Sequence, residues 1–140
     1  MQSEAHVKTD EAAVLRAAFL AGAILDAGAL LPMLVPTAAR VLWGVDDKSW
    51  GYRFAMGYGA SLMAGWTLLL VWAARRPLER RVIAPLTMLV ICGLIVTEIT
   101  GVAFGGLSPG RLLPTWCLQA LLLLSFAWAY QRSGRTAVRR

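Results

Sequence analysis

Four long apolar blocks divide this chain, and the short segments between them hold most of its charges, glycines and prolines. A helix needs about 20 apolar residues to cross ~30 Å of hydrocarbon, where no water is present to satisfy the backbone and each residue advances ~1.5 Å. The blocks occupy about residues 13–35, 52–74, 82–104 and 112–130, long enough for four crossings. A hydrophobic content of 58% and a mean hydropathy of +0.60 exceed what a soluble domain of 140 residues can bury. The expected architecture is therefore an all-α membrane protein: a four-transmembrane-helix bundle running up-down-up-down. Residues 1–140 form one transmembrane domain with short tails, 1–12 and 131–140.

The segments between the blocks carry the turn chemistry. Residues 1–12 are polar and of mixed charge, without the basic run of a cleaved signal peptide, and read as a cytoplasmic tail. Pro32 and Pro36 end the first block, each removing a backbone donor. Between Trp43 and Trp50 stand Asp46, Asp47 and Lys48, with Arg40 just before, a composition suited to an interfacial loop or short surface helix. The basic turn from Arg75 to Arg81 is so short that the second and third spans are expected to be neighbours. Pro85 and Pro114 each fall in the first turn of their spans, where proline is tolerated.

Charge gives the orientation. With four spans, the N-terminal tail, the second loop and the C-terminal tail share one side. That side holds Lys8, Arg16, Arg75, Arg76, Arg80, Arg81, Arg132, Arg135, Arg139 and Arg140. Arg40, Lys48, Arg53 and Arg111 lie on the other. The bias places both termini in the cytoplasm and suits a bacterial inner membrane. Trp72, Trp128 and Tyr130 then mark the inner interface, and Trp43, Trp50 and Tyr52 the outer one. The net charge of +6 meets anionic membrane lipids at the span ends; no nucleic-acid partner is expected.

Small residues at intervals of four mark faces where helices can approach closely in lipid. They are Ala18, Gly22 and Asp26 on the first span, Gly57, Ser61 and Gly65 on the second, and Gly93, Thr97, Gly101 and Gly105 on the third. The fourth span, with Leu118 and Leu121 to Leu124, is bulkier and expected to face lipid. An outward stripe would be the seam of a homodimer.

Two acids, Asp26 and Glu98, lie within spans, where a charge costs at least ~2.5 kcal/mol on insertion scales and needs a partner or a polar cavity. Helical rise puts them about 20 and 24 Å from the inner face, both in the outer half. Tyr58 and Gln119 fall in the same layer, with Trp116 and Cys117 close by on the fourth span and Arg53 above. These residues form either a hydrogen-bonded network that fixes helix register, or an outward pocket for a small cationic or amphipathic molecule. The candidate binding or proton-coupled residues are Asp26, Glu98, Gln119, Tyr58, Arg53 and Trp116.

Little supports redox or metal chemistry. Cys92 and Cys117 form no CxxC pair, and the single histidine, His6, precedes the first span, so no metal site and no cofactor are expected. The methionines read as gap-fillers. Length and an acid in the first span are shared with small multidrug transporters, but no stretch here matches their pattern around that acid, and a second acid stands in the third span. Three functions stay open: binding or transport of a small molecule, a membrane enzyme using Asp26 and Glu98 as acid and base on a lipid-soluble substrate, and an accessory or structural subunit of a membrane complex. In the last case, the small-residue stripes would face outward.

Overall fold

A computed structural model of the chain describes residues 2–134, with side chains described over 9–133. It contains five helices: α1 (Gln2–Leu34), α2 (Pro36–Leu42), α3 (Trp50–Arg75), α4 (Ile83–Ala103) and α5 (Pro109–Gly134). Among the described residues there is no strand. Four segments are long and apolar enough to cross a membrane: Thr9–Leu34 of α1, α3, α4, and Pro109–Ser133 of α5. His6, Arg135, Arg139 and Arg140 lie outside the residues whose side chains are described.

The helices begin and end where backbone chemistry requires. The polar segment before residue 13 contains no glycine or proline, and α1 runs through it from Gln2. Val35 breaks α1 from α2 in an extended conformation (φ −113°, ψ 107°), as a residue before proline prefers, and Pro36 opens α2. The interfacial segment is thus a short helix followed by a loop. Ser49 caps α3 by accepting the Tyr52 N–H at 3.2 Å. At the end of α4, Gly105 adopts φ +73°; Gly106 N–H bonds Gly101 O at 2.9 Å and Gly105 N–H bonds Val102 O at 3.0 Å. This is a Schellman cap, and Leu107 folds back over Gly101 so closely that a Cβ there would lie 2.7 Å from its Cδ1. Helix α5 starts at Pro109, three residues earlier than expected, so Pro114 is inside the helix and not in its first turn.

Helix α1 packs along α3 and α5, and α5 along α4, but α3 and α4 do not pack along their lengths. The short turn therefore does not make the second and third spans neighbours. Arginines at this end tie the helices in other pairs. Arg16 Nε donates to Ala74 O at 3.1 Å, securing α1 against the end of α3. Arg80 donates to Trp72 O, and Arg81 reaches across to Ser133 O at 3.3 Å, fastening the start of α4 to the end of α5. The Arg80 guanidinium lies 3.4 Å over the Trp72 ring and Arg132 4.3 Å over Trp128, so the arginines of this end stack on its tryptophans.

The core sits beside that basic end. Leu15, Phe19, Leu70 and Phe126 are fully buried, with Ala18, Ala73, Ala74, Ile83, Ala84 and Ala129 around them. Phe19 and Phe126 meet as tilted rings 5.9 Å apart. Gly22 admits them: a Cβ there would lie 3.0 Å from Phe126 Cζ and 3.2 Å from Leu70 Cδ1. Towards the other end, packing thins. A Cβ at Gly28, Gly57, Gly65 or Gly93 would meet nothing within 4 Å. Of the three small-residue stripes, only Ala18 and Gly22 pack inward. Gly57, Ser61 and Gly65 are exposed, as are Gly93 and Thr97, while Gly101 and Gly105 serve the helix cap. At this far end Arg111 Nη1 donates to Arg40 O at 3.0 Å, tying α5 to α2.

Candidate functional site

Trp116 and Gln119 stand three residues apart on α5, so one face presents both towards α4. There Gln119 Nε2 donates to Glu98 Oε1 at 3.0 Å. Gln119 is 6% exposed, and its amino group faces the carboxylate because the amide oxygen could not. The bond uses only part of what these groups offer. Glu98 Oε2, Gln119 Oε1 and Trp116 Nε1 are all buried without a well-formed hydrogen bond, the Trp116 indole N–H lying beside the Glu98 carboxylate. Two acceptors and one donor therefore converge at the α4–α5 seam, beyond the region where the core is densest. Each such atom costs about 1–3 kcal/mol if left without a partner.

Asp26 belongs to a different seam. It follows Gly22 and Ala23 by one turn on α1, the face that packs towards α3 and α5, and it is half-buried. No hydrogen bond or ion pair joins it to Glu98 or to any basic side chain among the described residues; Arg40 pairs with Asp46 and Arg76 with Glu79. Helices α1 and α4, which carry the two acids, do not pack along their lengths.

The remaining candidates lie on α3. Tyr58 is 64% exposed and stacks on Phe54, 6.5 Å between ring centroids. Arg53 points to neither acid; it lines a cavity at the end of the bundle remote from Arg75–Arg81, together with Asp47 and Tyr52. Of the six candidate residues, the structure brings together Glu98, Gln119 and Trp116, sets Asp26 apart, and leaves Arg53 and Tyr58 on the exposed side of α3. Cys92 and Cys117 are free and exposed.

Sequence reasoning missed that cavity. Its signals were the Pro32–Pro36 spacing, which bends the chain at Val35, and the glycines at 57 and 59 facing the bend. Outside the spans, Asp47 accepts the Ser49 N–H at 2.8 Å, and this bond, with the Ser49 side chain, holds its carboxyl below the usual carboxylate range. Among the described residues, no group of three or more His, Cys, Asp or Glu side chains is placed to hold a metal ion.

No protein-family model matches the chain, and no curated protein or solved structure shows significant similarity to it. The functional reading therefore rests on the chain's own geometry.

Proposed function

We propose that this chain is a four-span, up-down-up-down membrane protein, both termini cytoplasmic, that binds or moves a small cationic or amphipathic molecule through the outer half of its bundle. One observation carries the reading: Glu98 is held at the α4–α5 seam between Gln119 and Trp116, with its other oxygen buried, without a well-formed hydrogen bond and without a basic partner. A carboxylate in a span is costly, and a bound cation supplies the missing charge. The packing supports access, because the core is concentrated near the basic end and the opposite half of α3 and α4 is left open. The excess of arginine at one end supports its cytoplasmic placement.

The test is equilibrium binding of a lipophilic quaternary ammonium ion to the protein in nanodiscs, by calorimetry. Glu98→Gln keeps a polar side chain beside Gln119 but removes the charge. Affinity should fall by at least about tenfold, since loss of a charged partner in a desolvated site exceeds ~1.4 kcal/mol. Equal binding by the wild type and Glu98→Gln would overturn the reading.

A second reading has its own observation. The outward face of Ser61 and Gly65 is open to lipid, the arrangement expected of an accessory subunit or homodimer that packs through α3. A Gly65→Leu variant would then separate the protein from its partner, seen as a lower mass in native mass spectrometry. The acid–base enzyme reading gains no such support, because no contact joins Asp26 to Glu98.

A further inference from the structure

A cavity of about 390 Å³ opens where α1, α2 and α3 meet at the end remote from the basic turn. It lies within the ~300–1,000 Å³ typical of small-molecule sites. It exists because Val35 bends the chain between two prolines while Gly57, opposite, contributes no side chain. Its walls are apolar: Pro32, Met33, Leu34 and Met56. Met33 is seated by Gly59, where a Cβ would fall 2.8 Å from its Cε.

Three polar groups face this apolar wall. Arg53 contributes a guanidinium that makes no ion pair or hydrogen bond through its side chain among the described residues. Asp47 contributes a carboxylate, oriented by the Ser49 N–H and kept ionised by it. The Tyr52 hydroxyl is buried and makes no hydrogen bond to protein. Opposite charges that line one cavity ordinarily close on each other; here they do not, and neither has another charged partner. A purely anionic ligand would meet Asp47, and a purely cationic one Arg53. A zwitterion satisfies both.

We propose that this cavity binds the phosphate–alkylammonium headgroup of a zwitterionic phospholipid. The phosphate takes Arg53 and the Tyr52 hydroxyl, the ammonium takes Asp47, and the upper chain lies along Met33 and Met56. Guanidinium and phosphate pair by parallel charge-assisted hydrogen bonds, to which the first turn of α3 adds its positive end. The apolar wall calls for a headgroup still attached to its chains, because a free headgroup would leave that wall wet. This site is separate from the Glu98 seam and does not depend on the reading given for it.

The experiment uses the full chain, purified in mild detergent and delipidated, with thermal unfolding followed as lipid is added. Phosphatidylethanolamine should raise the midpoint by several degrees, phosphatidylglycerol by much less, and soluble phosphoethanolamine not at all. Arg53→Gln and Asp47→Asn should each remove most of the phosphatidylethanolamine shift. Asn at 47 can still accept the Ser49 N–H, so that variant keeps the loop bond. Tyr52→Phe deletes a hydroxyl without a partner, so it should unfold no earlier than wild type without lipid yet respond less to it. Gly57→Leu fills the cavity from a position where a Cβ meets nothing, and should abolish the shift. Equal shifts from both lipids, a shift from the soluble headgroup, or an undiminished shift in Gly57→Leu or in the Arg53→Gln, Asp47→Asn double variant would overturn the assignment.

Discussion

Gln119 and Glu98 hydrogen-bond side chain to side chain between two spans, Nε2 to Oε1 at 3.0 Å, leaving Glu98 Oε2 and the Gln119 amide oxygen buried and unbonded. Half-satisfied polar pairs of this kind hold helices together while costing more than an apolar contact would. Gln119→Leu should therefore destabilise the protein by about 1–3 kcal/mol, because Glu98 loses the amide donor at Oε1. Replacing both residues by leucine should recover most of that loss. The measurement is a double-mutant cycle on thermal unfolding in nanodiscs, and additive losses would contradict it.

Glycines on the two sides of the bundle should respond oppositely to a methyl group. Gly22→Ala meets Phe126 and Leu70 at 3.0 and 3.2 Å, and overpacking of this kind costs about 1–3 kcal/mol. Gly28→Ala meets nothing and should be neutral or stabilising by up to about 1 kcal/mol, since alanine is the better helix former. Unfolding midpoints of the two variants check this directly.

The span count and the break after the first span were legible in the sequence because they depend on local chemistry, apolar length and Pro36 after Val35, whereas Gly105, read as a packing residue, caps α4 with φ positive. Glu98 and Gln119 could be brought together by counting helical rise alone. Azimuth could not be counted. Depth says nothing of which way Asp26, Tyr58 and Arg53 turn about their helix axes, and that depends on long-range bonds such as Arg16 to Ala74 O and Arg81 to Ser133 O. The same bonds overrode the expectation that a short turn pairs α3 with α4.

The loop before α3 should carry a pH dependence of its own. The folded-state pKa of Asp47 is lowered by the Ser49 backbone N–H and then by the Ser49 side chain. Its contribution to stability is therefore fully present above the ordinary carboxylate pKa and is lost as pH falls through the lower folded value. Ser49→Ala should bring the Asp47 titration part of the way back towards ~3.9 while also removing the α3 cap, at about 0.5–2 kcal/mol. A selectively labelled Asp47 carboxyl followed by NMR across acidic pH would report the shift; titration unchanged by Ser49→Ala would refute the cause.

The proposed orientation can be tested with single cysteines, starting from a chain in which Cys92 and Cys117 are replaced by serine. Both are exposed on their helices and neither forms a disulfide, so the background should fold. Lys48 lies in the loop between α2 and α3, at the end where Arg111 ties α5 to the last turn of α2. Arg132 lies at the opposite end, stacked on Trp128. If the arginine-rich end is cytoplasmic, Lys48→Cys should react with an impermeant maleimide added to intact cells, and Arg132→Cys only after the membrane is permeabilised. The reverse pattern would invert the protein, place Glu98 and the Arg53 cavity in the cytoplasmic half, and remove the basis for ligand entry from the outer leaflet.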